Sequence, residues 1–297
     1  MGLKLVGGLL FLFLTVFGLV GNISVFVIYM CSFGGGTDKK SIQFILMHVI
    51  FTNIVILLSK GLPRTIAAFG LKNFLSDIIC KIIVYMSRVA RGFSICTSSL
   101  LTIVQVIIIS PRASGLYRFK PRSVWHIFPL LVFFWVVNSL ISINLLYIHY
   151  VPMNTSQLSQ SDHYCFFIQG KMKKGNNIPF TFMVLRDVLF QGIMVATSGY
   201  MVFFLHKHHQ RVLYLQNAKL LYTTPEIKAA KSVLLLMLCF LFFYWTDCFI
   251  SLYLIFSLEN YSITVYIQEF LTIGYAIFSP YVLIHRDGHL SGCWYTH

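Results

Sequence analysis

Residues 80–114 read CKIIVYMSRVARGFSICTSSLLTIVQVIIISPRAS, and this stretch decides the fold. It is a single apolar helix, long enough to cross a hydrocarbon layer of about 30 Å, with Arg88 and Arg91 in its interior. A charged side chain at mid-bilayer costs roughly 2.5–3.5 kcal/mol on insertion scales, so both arginines must face protein or a wet cavity. The helix is therefore a candidate wall of a ligand site.

Six more apolar windows flank it, which places spans near residues 5–31, 42–60, 80–109, 125–149, 180–205, 229–257 and 262–285. The chain of 297 residues is 57% hydrophobic and 11% charged, where soluble domains carry about a quarter charged residues. The expectation is an all-α membrane protein: one seven-transmembrane helix bundle spanning 1–297. Lys4 followed by a long apolar run without a small-residue cleavage site reads as a retained first span acting as signal anchor.

An odd number of spans puts the termini on opposite sides. With the amino terminus outside, inner segments hold twelve Lys and Arg and outer ones eight, counted along the sequence, which agrees with the positive-inside rule. The sequon at Asn154 falls in the long loop after the fourth span, hence outside, and Asn154 is the expected glycosylation site. The net charge of +14 is scattered through short loops rather than gathered in one patch, which excludes nucleic acid as a partner and leaves the lipid bilayer.

Cys80 opens the third span at its outer end, and Cys165 lies in the long outer loop between the fourth and fifth spans. Both face an oxidising compartment, where a Cys80–Cys165 disulfide pins that loop over the bundle. Close-spaced ligand pairs are missing, so no metal site and no cofactor is expected.

Arg88 and Arg91 share one helical face, roughly 12 and 16 Å below Cys80 at 1.5 Å per residue. Asp187 in the fifth span, Asp247 in the sixth and Glu269 in the seventh lie at comparable depth, within about 15 Å of their outer ends. Two readings stand side by side. The charges pair with one another and hold helices together, or some of them line a cavity and orient a small ligand among aromatic walls. Arg88, nearer the outer surface, is the preferred ligand contact. No nucleophile, base and acid stand at one depth, so the chain is read as a non-enzyme.

The pattern Arg88-Val89-Ala90-Arg91-Gly92, Ser94-Ile95-Cys96-Thr97 and Ile109-Ser110-Pro111 resembles the vomeronasal type-1 receptors, a family of seven-helix G-protein-coupled chemosensory receptors. Leu58-Ser59-Lys60-Gly61-Leu62-Pro63, Arg186-Asp187, Ser198-Gly199-Tyr200-Met201-Val202, His208-His209-Gln210 and Ser279-Pro280-Tyr281-Val282-Leu283 extend the resemblance in order over nearly the whole chain. The resemblance implies a rhodopsin-like architecture, a small pheromone-like or odorant ligand, coupling to an inhibitory-type G protein, and the plasma membrane of sensory neurons. Ile109-Ser110-Pro111 stands where most rhodopsin-like receptors carry an acidic-Arg-aromatic triplet.

Within that reading, ligand settles among the third, fifth, sixth and seventh spans, and the basic inner loops around Arg118, Lys120, Arg211 and Lys219 meet the G protein. Pro280 frees a backbone carbonyl and is the candidate hinge, with Tyr244 as a bulky pivot. The rival within receptors is a bitter-taste receptor, from which the Arg88 to Thr97 pattern is not expected. A transporter or channel requires internal repeats and a polar path through the full membrane, whereas Leu100 to Ile109 offers only Thr102 and Gln105.

Overall fold

The apolar windows form rods packed side by side in the computed structural model, which describes residues 2–31, 37–68, 77–110, 115–121, 124–143, 178–214, 225–256 and 262–286. Among these residues lie α1 (Gly2–Cys31), α2 (Thr37–Ile56), α3 (Leu62–Ala68), α4 (Asp77–Ile109), α5 (Phe128–Ser142), α6 (Ile178–Tyr214), α7 (Pro225–Phe256) and α8 (Ser262–Arg286). A π-helical turn, Leu57–Gly61, joins α2 to α3 without interruption. The described helices thus make seven rods. Five stretches, Val6–Cys31, Lys40–Gly61, Ile78–Ile109, Thr181–Lys207 and Ala230–Ile250, are long and apolar enough to cross a membrane, and Phe128–Ser142 and Phe270–His285 are shorter apolar helices.

Local sequence explains several rod ends and bends. Pro225 and Pro129 open α7 and α5, where a missing N–H costs nothing. Pro63 removes the N–H that a regular helix gives to the carbonyl four residues back, and the wider turn just before it absorbs the mismatch. The second rod consequently runs on to Ala68, beyond the window read from hydropathy.

Residue pairing sets the directions of the rods. Thr15 meets Gly61 and Gly18 meets Leu57, so α1 and α2 are antiparallel. Arg88 and Thr102 of α4 meet Met183 and Thr197 of α6, so those two are parallel. Thr272 meets Asp247 and Tyr275 meets Phe240, so α7 and α8 are antiparallel. The helices α1, α4, α6 and α8 therefore start at one end of the bundle, here the first end, and run toward the second.

The axis of the bundle is α4: 83% of its membrane-length window is buried, against 17% for α6 and 33% for each of α1 and α7. It packs on α2, α5, α6 and α7. Ala90, Gly92, Ser94, Thr97, Ser98 and Ser99 are small and let four neighbours approach its backbone closely. Phe93, Ile95 and Leu101 fill the spaces between, together with Ile45, Leu46, Leu131, Met194 and Leu236. The outer faces carry exposed Phe13, Phe133, Leu185, Phe203, Phe242 and Phe249, as lipid-facing helices require.

A knot of neutral polar groups ties α1, α2 and α8. Pro280 lies inside α8 and gives no N–H to the Ala276 carbonyl. Asn22 of α1 fills that vacancy, donating Nδ2 to the Ala276 carbonyl at 2.8 Å and to its own Gly18 carbonyl at 2.7 Å. Asn53 of α2 donates to Asn22 Oδ1 at 3.2 Å and to Ser279 Oγ at 2.8 Å. Gly21 lets Pro280 and Tyr281 lie against α1, about 3.1 Å from where a Cβ would stand.

Candidate functional site

In the half of the bundle nearer the first end, three helices, α4, α6 and α7, bring ionised side chains together. Arg91 of α4 donates Nη2 to Asp247 Oδ2 of α7 at 2.6 Å, with the Asp247 side chain 4% exposed. The second Asp247 oxygen accepts the Thr272 hydroxyl of α8 at 3.0 Å. The Tyr244 ring covers the guanidinium of Arg91, 4.7 Å from its centroid. Charge, hydrogen bond and ring together stand in for the water that an arginine loses in the membrane.

A second pair forms on α6. Arg186 folds back on its neighbour Asp187, giving Nε at 2.8 Å and Nη2 at 2.6 Å to Oδ1, and donates Nη1 to Asn138 Oδ1 of α5 at 2.5 Å. The Tyr244 hydroxyl donates to Asp187 Oδ2. Asn138 in turn donates Nδ2 to the Phe134 carbonyl at 2.7 Å and reaches Cys96 Sγ at 3.7 Å. The result is a polar belt running Asn138, Arg186, Asp187, Tyr244, Arg91, Asp247, Thr272, which crosses five helices.

Beside the belt is a cavity of about 50 Å³, walled on α4 by Ser87, Arg91 and Ser94, on α7 by Phe240, Phe243, Tyr244 and Asp247, and on α8 by Leu271, Thr272 and Tyr275. Gly274 is the position that lets Phe243 lie flat against α8, since any Cβ there would overlap its ring. Phe243 also stacks on Phe278 with centroids 5.6 Å apart. Such a chamber binds by shape, aromatic contact and a few hydrogen bonds.

Of the residues singled out from sequence, Arg91, Asp247 and Tyr244 line this cavity. Arg88 stands off it, donating Nη1 to the thioether of Met183 on α6 at 3.4 Å. Asp187 is occupied by Arg186 and Tyr244. Glu269 lies on α8 with its side chain outside the described residues. Pro280 is buried at the knot. Trp245, next to the pivot Tyr244, turns away to α6 and donates Nε1 to Gln191 at 2.9 Å.

At the second end, Arg118 is exposed on a short 3₁₀ turn, Gly115–Phe119, and Lys120 follows it. Arg211 lies on α6 with its side chain outside the described residues, and Lys219 lies outside them altogether. Cys80 is 3% exposed and is not among the free thiols of the described residues. Cys165 and Asn154 lie outside the described residues.

Sequence reasoning missed Arg186, Asn138 and Gly92 as parts of the site. Arg186-Asp187 was visible as adjacent opposite charges in a span and Asn138 as an interhelical hydrogen-bonding group, but not that the two meet. Gly92 carries no signal of its own. A Cβ there would overlap both Asn138 Oδ1 and Arg186 Nη1, so the glycine is the gap through which their hydrogen bond lies against α4.

Comparison with known proteins agrees with this architecture. The chain superposes on squid rhodopsin with a TM-score of 0.66 over 99% of its length and 85% of that chain, at 18% identity, which shows a shared fold. It is 31% identical to human vomeronasal type-1 receptor 4 over 278 residues, 92% of this chain and 91% of that one. It is 25% identical to zebrafish (Danio rerio) olfactory receptor class A-like protein 1, over 95% and 90% of the two chains. Residues 7–296 match the model of the vomeronasal organ pheromone receptor family. With its rhodopsin fold, its apolar rods and this match over nearly its whole length, the chain belongs to the vomeronasal type-1 receptors, multi-pass membrane receptors of the G-protein-coupled class.

Proposed function

We propose that this receptor binds a small pheromone-like or odorant molecule in the cavity beside Arg91 and passes the signal to an inhibitory-type heterotrimeric G protein. The observation that carries the reading is the position of that cavity. It touches α4, α7 and α8 at once, next to a belt that also holds α5 and α6.

Any occupant presses on Phe240, Phe243 and Tyr244 of α7 and on Tyr275 of α8. Just beyond Tyr275, the Ala276 carbonyl and Pro280 give α8 its weak point, where Asn22 supplies the donor that the helix itself lacks. Ligand shifts the equilibrium only by the difference in its affinity for the two arrangements. Pro280 and Tyr244 are the proposed hinge and pivot. Arg118, Lys120, Arg211 and Lys219 are the proposed G-protein surface.

In the same reading the first end of the bundle faces outward, a Cys80–Cys165 bridge fastens the outer loop, Asn154 carries a glycan, and the receptor resides in the plasma membrane of sensory neurons. Arg91 and Asp247 contact ligand or its surroundings directly, and Arg88, Asp187 and Glu269 frame the approach.

The test is a cyclic-nucleotide assay in cells expressing the receptor, run over an odorant panel with and without a blocker of inhibitory G proteins. The expected result is a ligand-dependent fall in cyclic AMP that the blocker removes, and that Arg91→Gln lowers while surface expression persists. Currents that need no G protein overturn the proposal.

A further inference from the structure

The cavity has a charged wall and a hydroxyl floor, and their states differ. On the wall every charge is matched: Arg91 meets Asp247 at 2.6 Å, and the remaining Asp247 oxygen takes the Thr272 hydroxyl at 3.0 Å. On the floor, Ser94 and Tyr275 are 2% and 7% exposed. Their hydroxyl oxygens are buried without a hydrogen-bond partner among the described residues. Ser98, one turn further along α4, is the side chain that faces the Tyr275 hydroxyl. Ser94 follows Arg91 by one turn on α4, and Tyr275 follows Thr272 by one turn on the parallel α8, so both floor hydroxyls lie one turn deeper than the ion pair.

These states rank the possible occupants. An anion must compete with Asp247 for Arg91, and a cation must compete with Arg91 for Asp247. Either leaves a displaced ion unmatched in a low dielectric, which is strongly unfavourable. An uncharged molecule breaks no pair. If it carries a hydroxyl or carbonyl oxygen, it also supplies the partner that a buried polar group needs.

Resting on the receptor reading above, we infer that Ser94 and Tyr275 form the polar end of the binding site, and that its ligand is an uncharged, mainly apolar molecule with one hydrogen-bonding oxygen. Phe240, Phe243 and Leu271 take its apolar body. At about 50 Å³ the chamber is roughly a third of the ~150 Å³ cavity that accepts benzene in an engineered protein. A ring-sized ligand therefore enters by displacing a wall side chain, which couples occupancy to movement of α7 against α8.

The experiment uses the full-length receptor purified in lipid nanodiscs and four probes of one size: cyclopentanol, cyclopentanone, cyclopentanecarboxylate and cyclopentylammonium. The expected result is that the alcohol and the ketone raise the thermal midpoint in a saturable way, while the two ions have no effect at tenfold higher concentration. Ser94→Ala and Tyr275→Phe each weaken binding of the alcohol by about fivefold to tenfold, the size of one buried hydrogen bond. Ser94→Ala changes a small side chain and keeps the test open should Tyr275→Phe fail to fold.

Tighter binding of the carboxylate than of the alcohol overturns the inference, as does unchanged binding in Ser94→Ala, or no saturable shift by any of the four. Nucleotide exchange on an added G protein separates the two readings. Exchange driven by the carboxylate alone keeps the receptor and removes the uncharged ligand. Saturable alcohol binding that Ser94→Ala weakens, without exchange, keeps the hydroxyl site and removes the receptor reading.

Discussion

Two buried polar clusters hold this bundle, and they use opposite chemistry. The belt through Arg91, Asp247, Arg186 and Asp187 is ionised and borders a cavity. The knot of Asn22, Asn53 and Ser279 is neutral, and its three residues are 0%, 0% and 1% exposed. An amide in hydrocarbon needs only hydrogen-bond partners, and Asn22 finds one in the carbonyl that Pro280 frees. An ion needs an opposite charge as well, so each belt member depends on a side chain from the same or another helix. The knot closes a defect in α8. The belt ties together the helices that a ligand must move.

If that contrast is right, the largest loss follows from unmatching a charge. Asp247→Ala leaves Arg91 without its carboxylate and is expected to cost about 3–5 kcal/mol, seen as a fall in thermal midpoint or in the fraction of receptor reaching the surface. The double variant Arg91→Leu with Asp247→Leu sharpens the point. Removing both ions should recover most of that stability, and a double variant no better than Asp247→Ala breaks the comparison.

Gly92→Ala comes next, at about 2–3 kcal/mol, because its new methyl occupies the place of the Arg186–Asn138 bond. Adding Asn138→Ala to Gly92→Ala should cost much less than Asn138→Ala alone, which a double-mutant cycle measures. In the neutral knot, Asn22→Ala is expected to cost only about 1–2 kcal/mol, the size of hydrogen-bond partners lost without a stranded charge. Its signature is faster hydrogen exchange around Ala276. A loss as large as that of Asp247→Ala would erase the distinction between the clusters. The smallest effect belongs to Thr197→Val, which removes the 2.9 Å hydroxyl contact to Thr102 and should shift the thermal midpoint by about 0.6 kcal/mol of stability.

How far the site was legible can be followed residue by residue. The rise of 1.5 Å per residue gives depth from a sequence position, so Arg91 and Asp247 were placed in one layer before any contact was seen. Rotation about each helix axis is a different matter. Arg88 and Arg91 are three residues apart, yet one lines the cavity and the other meets Met183 on α6. That choice depends on where α6 and α7 stand around α4. Pro280 announced a free carbonyl, but its donor lies 254 positions away in sequence, on α1. Gly92 reads as a neutral small residue until Asn138 and Arg186 are beside it.

The amino-acid order by itself determined that the chain lies in a membrane, how many rods it makes, which of them carries ions and at what depth. Hydropathy, helical rise and the cost of a bare charge in hydrocarbon are local quantities, readable one segment at a time. Tertiary structure decided which ions pair, which hydroxyls are left without a partner at the cavity floor, and how the second rod passes Pro63 to reach Ala68. The pairings and the orphaned hydroxyls depend on distances of a few ångströms between segments far apart in sequence, which close packing of the rods sets.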